Sequence, residues 1–163
     1  MTGEKHVRRV VTGHNAEANA VVLMDEVMTG RPIGEGRAVF AKVWTTATSP
    51  ADNDDARDGA ERESGLTVEG GTVLRYVDFA PGSRSPMHRT NSLDYGIVLR
   101  GHLVMELDSG EHVELSPEDV VVQRGTIHAW VNASSDWARM AFVLVDAKPA
   151  TVNGVQLDPE SRD

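Results

Sequence analysis

His88, Asp94 and His128 are the side chains of this sequence best suited to chemistry, two imidazoles and one carboxylate. Gathered around one point, they can bind Fe, Mn, Ni or Zn facially and leave positions open for a substrate oxygen. Without a metal, His88 or His128 serves as general base while Asp94 orients the imidazole. A third arrangement is inert, with both histidines neutral in a core and hydrogen-bonded to Thr90, Asp94 or Tyr95. The chain has no cysteine, so thiolate nucleophiles, disulfides and Cys-ligated zinc are excluded. Thr90, Tyr95, Gln123, Trp130 and Arg89 are the neighbours expected to contact a substrate, with Arg84 a further cation beside them. His6, His14, His102 and His112 have no such company and are expected on the surface.

These residues meet only if the elements that carry them close on one another. The recurring pattern is a short β-rich run ended by turn residues, with little helical spacing. Strands are expected over 7–11, 20–27 and 38–46, then over 72–80, 94–101, 102–108, 112–116, 119–124, 128–132 and 138–146. Alternation sends His88 and Thr90 to one face, Asp94 follows on the next strand, and His128 comes from a distant one. Many short strands joined by tight turns hide their edges by closing into a barrel or pairing as a sandwich, so the class is all-β. The domain plan is one structural unit: an N-terminal β arm or partial sheet (1–47), an acidic loop (48–71), a barrel core (72–147) and a C-terminal tail (148–163). The 48–71 loop, rich in Asp, Glu, Gly and Ala, reads as a solvated segment with at most one helical turn, either a lid or mobile.

Gly82, His88, Thr90, Asp94 and Gly101 stand at the intervals of the first cupin motif, with Thr90 in place of its second histidine and Asp94 in place of its glutamate. Gly125, His128 and Asn132 resemble the second motif, with Gln123 where proline is usual and Glu118-Asp119 one residue nearer than the common Gly-Asp. The resemblance covers about residues 72–146. It implies a double-stranded β-helix (jelly-roll) barrel with an N-terminal strand arm, and a metal site at His88, Asp94 and His128 from which one ligand is missing. It also implies tailoring of polyketide-like or aromatic metabolites, since single-domain members of this look often do so. Because the fold hosts many chemistries, the reaction stays open. The readings are a lyase/dehydratase, isomerase or cyclase on a carbonyl- or hydroxyl-bearing metabolite, a metal-dependent dioxygenase or decarboxylase, or a non-catalytic binding barrel.

At 163 residues and 17.7 kDa the chain is one ordinary domain, large enough for a core without staples. A net charge of −9 and a pI near 5.1 argue against nucleic acid and anionic membranes as partners. The opening MTGEKHVRRV lacks the apolar core of a signal peptide, and no apolar run approaches the roughly 20 residues of a membrane span, so a cytoplasmic location is expected. The partners expected are a small-molecule substrate and a second copy of the chain, because the strands before residue 47 carry more apolar surface than one small barrel needs.

Overall fold

The computed structural model describes residues 6–162. A first hairpin joins β1 (His6–His14) to β2 (Ala20–Thr29). Then come β3 (Arg31–Ile33), a single turn at Gly34–Gly36, and β4 (Ala38–Thr46). After a long irregular segment the barrel strands follow: β5 (Thr72–Phe79), β6 (Met87–Arg89), β7 (Ser92–Arg100), β8 (Leu103–Leu107), β9 (His112–Leu115), β10 (Val120–Arg124), β11 (His128–Val131) and β12 (Ala138–Asp146). The chain continues through a small hairpin, β13 (Thr151–Val152) and β14 (Val155–Gln156), to β15 (Glu160–Arg162).

Two antiparallel sheets make the body. One has the order β10-β7-β12-β5-β4-β3 and the other β15-β6-β11-β8-β9. Period-2 alternation explains which residues meet between them. In β7, Ser92, Asp94, Gly96 and Val98 point inward while Tyr95 points out; in β12, Ala138, Met140, Phe142 and Leu144 point inward. The core joins Val73, Val77, Val98 and Met140 of the first sheet to Leu103 and Trp130 of the second. This is an all-β jelly-roll barrel. Tight turns between its strands need backbone that most residues avoid: Gly101 sits at φ 74°, and a Cβ there would lie 2.8 Å from the Cα of Ala138.

Two segments differ from the sequence expectation. Residues 48–71 contain no helical turn, and they are docked rather than simply solvated. Arg9, buried on β1, donates to Asp58 at 2.5 and 2.6 Å and to Glu26, and lies over the ring of Trp44. Thr45 donates to Gly59 O at 2.6 Å, and Val68 packs on the core. The stretch after 148 is not a bare tail, because β15 adds to the edge of β6. Among the described residues no helix is long and apolar enough to cross a membrane.

Candidate active site

The inward faces of both sheets enclose a cavity of about 250 Å³. His88, His128, Asp94 and Arg75 are among its polar lining, with Arg37, Arg84, Ser83 and Ser85, and Phe40, Val77, Phe79, Trp130 and Phe142 form its walls. Ile33, Leu66 and Pro86 line it as well. A few polar groups in an apolar, aromatic chamber is the usual composition of a small-ligand site.

His88 and His128 are cross-strand partners in the β6–β11 pair, and their ring centroids lie 4.4 Å apart at 49°. His88 Nδ1 donates to Pro86 O at 3.0 Å, so its free nitrogen is Nε2. His128 is 3% exposed. Its Nδ1 lies 3.1 Å from Thr126 O and beside the Gln123 amide, whose Nε2 also donates to Thr126 O at 2.9 Å. Both contacts engage Nδ1 and leave His128 Nε2 to the cavity. Burial, and then the neighbouring His88, push the His128 imidazole down to about 4, so it is neutral at physiological pH. Trp130 meets His128 edge-on at 5.5 Å and Phe142 at 5.4 Å, fixing that side of the chamber.

Asp94 is 6% exposed, and its Oδ1 is buried without a hydrogen-bond partner among the described residues. Burial pushes its carboxyl above the ordinary aspartate range; the Ser92 hydroxyl, Arg75 and His88 oppose that shift. Thr90 does not line the cavity. It bonds Ser92 at 2.8 Å and so supports Asp94 at one remove. Tyr95 is 40% exposed on the outer face of β7, and Arg89 donates to Asp158 O at 3.3 Å, so neither reaches the chamber. Gln123 is buried opposite Asp94 in the β10–β7 register and acts on His128 rather than on the cavity. Of the five expected substrate contacts, Trp130 alone lines it. Arg84 lines it too and pairs with Glu106 at 2.9 Å.

Arg75 was missed, although the sequence carries a signal for it: a cation within the inward period Val73, Arg75, Val77, Phe79. Burial pushes its guanidinium down to about 10, still cationic at neutral pH. For a metal, the three expected ligands must converge. Among the described residues no group of three His, Asp or Glu side chains is disposed to hold one. The donors as placed do not fit a three-ligand ion.

Comparison with known proteins agrees with this architecture. Residues 75–145 match the Cupin_2 family, described as a cupin domain. The chain is 39% identical to the cupin-domain-containing oxidoreductase fogC of Aspergillus ruber, over 97% of this chain and 81% of that protein. It is 42% identical to the phomopsin biosynthesis cluster protein C' of Diaporthe leptostromiformis, over 90% of this chain and 82% of that one. Among solved structures, the polyketide cyclase RemF from Streptomyces resistomycificus shares the fold, with a TM-score of 0.53 and 19% identity over 82% of this chain and 79% of that one. A two-sheet jelly roll, two spaced histidines on paired strands and relatives matched over about four fifths of their length lead to one assignment: this chain belongs to the cupin family.

Proposed function

We propose that this cupin is an enzyme of secondary metabolism that moves protons on a carbonyl-bearing, polyketide-like or aromatic metabolite. The observation that carries the reading is the His88–His128 pair, two touching imidazoles whose Nδ1 atoms are engaged by the protein and whose Nε2 atoms are left to an aromatic chamber. In the tautomer that carries its proton on Nδ1 and donates it to Thr126 O, with the Gln123 Nε2 hydrogen also given to that carbonyl, His128 keeps a lone pair on Nε2. That atom takes a proton from the carbon next to the substrate carbonyl, and the C–H electron pair moves into an enolate. The negative charge so formed favours the new imidazolium beside it. Returning the proton to another carbon is isomerisation, expelling a β-hydroxyl as water is dehydration, and attack on a second carbonyl is cyclisation. Asp94, whose carboxyl burial pushes toward the protonated form, is the acid that can supply the leaving hydroxyl with its proton. The relatives' names, a cupin-domain oxidoreductase and a biosynthetic-cluster protein, support the setting in secondary metabolism.

The test is solvent-deuterium exchange of the α-protons of benzoylacetone, an aryl 1,3-diketone, followed by NMR. Wild-type protein is expected to accelerate exchange, and His128→Ala to abolish the acceleration while keeping the fold. Full acceleration in His128→Ala overturns the scheme.

The oxidoreductase names favour a second reading, a redox step in the same cavity. His88, Asp94 and His128 would hold a divalent metal in that reading, and it would supply the redox chemistry, although the three are not grouped to do so as placed. Elemental analysis of protein purified without a metal column decides it: about one equivalent per chain, lost in His88→Ala, supports this reading. We also propose a homodimer through the β1–β2 hairpin, whose Val10, Val22, Leu23 and Val27 are exposed apolar side chains. A monomer mass in sedimentation at micromolar concentration contradicts it.

A further inference from the structure

Arg75 is a half-buried cation lining the cavity, its Nε fully buried, that the proton-transfer scheme leaves without a task. It is the register partner of Phe142 on β12, and Asp94 is the partner of Leu144 on the same strand's other side. The two charged residues therefore flank β12 on its inward face, two positions out of step. Strands two apart in a sheet are separated by roughly 10 Å. Side chains narrow that gap, and each group feels the other's charge. They do not satisfy one another: Arg75 Nε and Asp94 Oδ1 are both buried without a hydrogen-bond partner among the described residues. The guanidinium carbon lies 5.1 Å from the Phe40 ring centroid, so an aromatic face fixes the cation in place without taking its N–H groups.

Leaving a buried donor and a buried acceptor unpaired is costly, more so when each is ionisable. Here both line one apolar chamber, and although Ser92 supports the Asp94 carboxyl, Asp94 Oδ1 and Arg75 Nε have no partner among the described residues. A ligand oxygen entering between them accepts from the Arg75 guanidinium, and Asp94 in its protonated form donates to the same oxygen. We infer that Arg75 and Asp94 form the oxygen anchor of the substrate site, Arg75 holding an anionic oxygen and Asp94 bonding beside it, and that the ligand class is an aromatic body bearing a carboxylate or enolate. Phe79, Trp130 and Phe142 supply the contact for that body. The inference rests on the cavity being the substrate site, and it does not require His128 to be the base. In the proposed reaction the anchor places the enolate oxygen at Arg75, where its charge is stabilised as it develops.

The test uses the full-length protein and two unreactive probes of one shape, 2-naphthoate and its neutral isostere 2-naphthamide, titrated by calorimetry. NMR of the Trp130 indole reports that binding occurs in the cavity. The expected result is about tenfold tighter binding of naphthoate, which a charge-assisted bond readily supplies. Arg75→Met should abolish that preference and leave naphthamide affinity within about twofold. If Arg75→Met does not fold, Arg75→Gln gives the same comparison. Equal affinity of wild-type protein for the two probes, a preference that survives loss of Arg75, or no cavity binding by either overturns the anchor. His128→Ala separates this inference from the reaction scheme, since it should keep the naphthoate preference while losing diketone exchange. Preference kept with exchange also kept overturns the scheme alone. Preference absent with normal exchange overturns the anchor alone.

Discussion

Ser161 of β15 is the direct register partner of His88 of β6, with Glu160 opposite Arg89 and Arg162 opposite Met87. β6 is three residues long, and on its other side it is held to β11 through the single pair His88–His128. The position of the His88 imidazole thus depends on a strand supplied from far along the chain. Removing residues 159–163 is expected to leave the barrel folded and to speed amide exchange in 87–89. It should also cut diketone exchange several-fold, because a displaced ring loses its alignment. Unchanged amide protection in those residues contradicts this role for β15.

His128 gives stability a pH dependence whose sign is fixed. Its imidazole lies at about 4 in the folded chain against 6.5 when exposed, so the unfolded chain binds the extra proton. Its contribution is complete above 6.5 and is lost as pH falls from there toward about 4. The loss reaches about 3 kcal/mol. Denaturant melts of wild-type protein and His128→Gln across this range should converge toward the acid end. A constant gap between them contradicts the burial of a neutral His128.

Gln123 touches the ring nitrogen that faces away from the cavity. Gln123→Glu places a carboxylate at Nδ1, which favours the imidazolium. The acid limb of the exchange-rate profile is expected to move to higher pH, with the plateau changed by less than about tenfold. A limb that stays in place shows that His128 does not set it.

Asp94 behaves in the opposite sense to a surface carboxylate. Its folded value is raised, so the benefit of the protonated form holds at low pH and is lost as pH rises through that value. Asp94→Asn is therefore expected to melt higher than wild type at neutral pH and to match it below the ordinary aspartate range. A lower melting temperature at neutral pH indicates that Asp94 is held as the anion.

Arg9 ties the first hairpin to the acidic segment through Asp58 and Glu26, and it is almost fully buried. Arg9→Ala leaves the partly buried Asp58 without its cation, at a cost of about 2 kcal/mol given the partial exposure of the pair. Limited proteolysis should then cut within 48–71, where the wild type resists. Equal resistance contradicts this anchoring.

The strands were legible because their signals are local: period-2 alternation in 138–146, or the turn at Asp108-Ser109-Gly110, needs no knowledge of what packs where. His88, Asp94 and His128 were legible because their spacing resembles a family pattern. Other features depend on tertiary context. β6 and β15 are too short to show a period, and their pairing links residues distant in sequence. Thr90 lies just past the end of β6, so alternation does not carry it to the chamber beside His88, and Tyr95 falls on the outer side of an alternation that places Asp94 inside. Arg75 shares the period of Val73, Val77 and Phe79, but that period marks the cavity face only once β5 is seen with both faces covered. The acidic composition of 48–71 hides the residues that dock it, Asp58, Gly59 and Val68.

The most direct test of the central claim is diketone exchange by protein treated with chelator and shown to be metal-free by elemental analysis. Proton transfer by the His88–His128 pair predicts that the stripped protein exchanges α-protons as fast as untreated protein, and that His128→Ala does not. Exchange that vanishes on stripping and returns with an added divalent metal contradicts it.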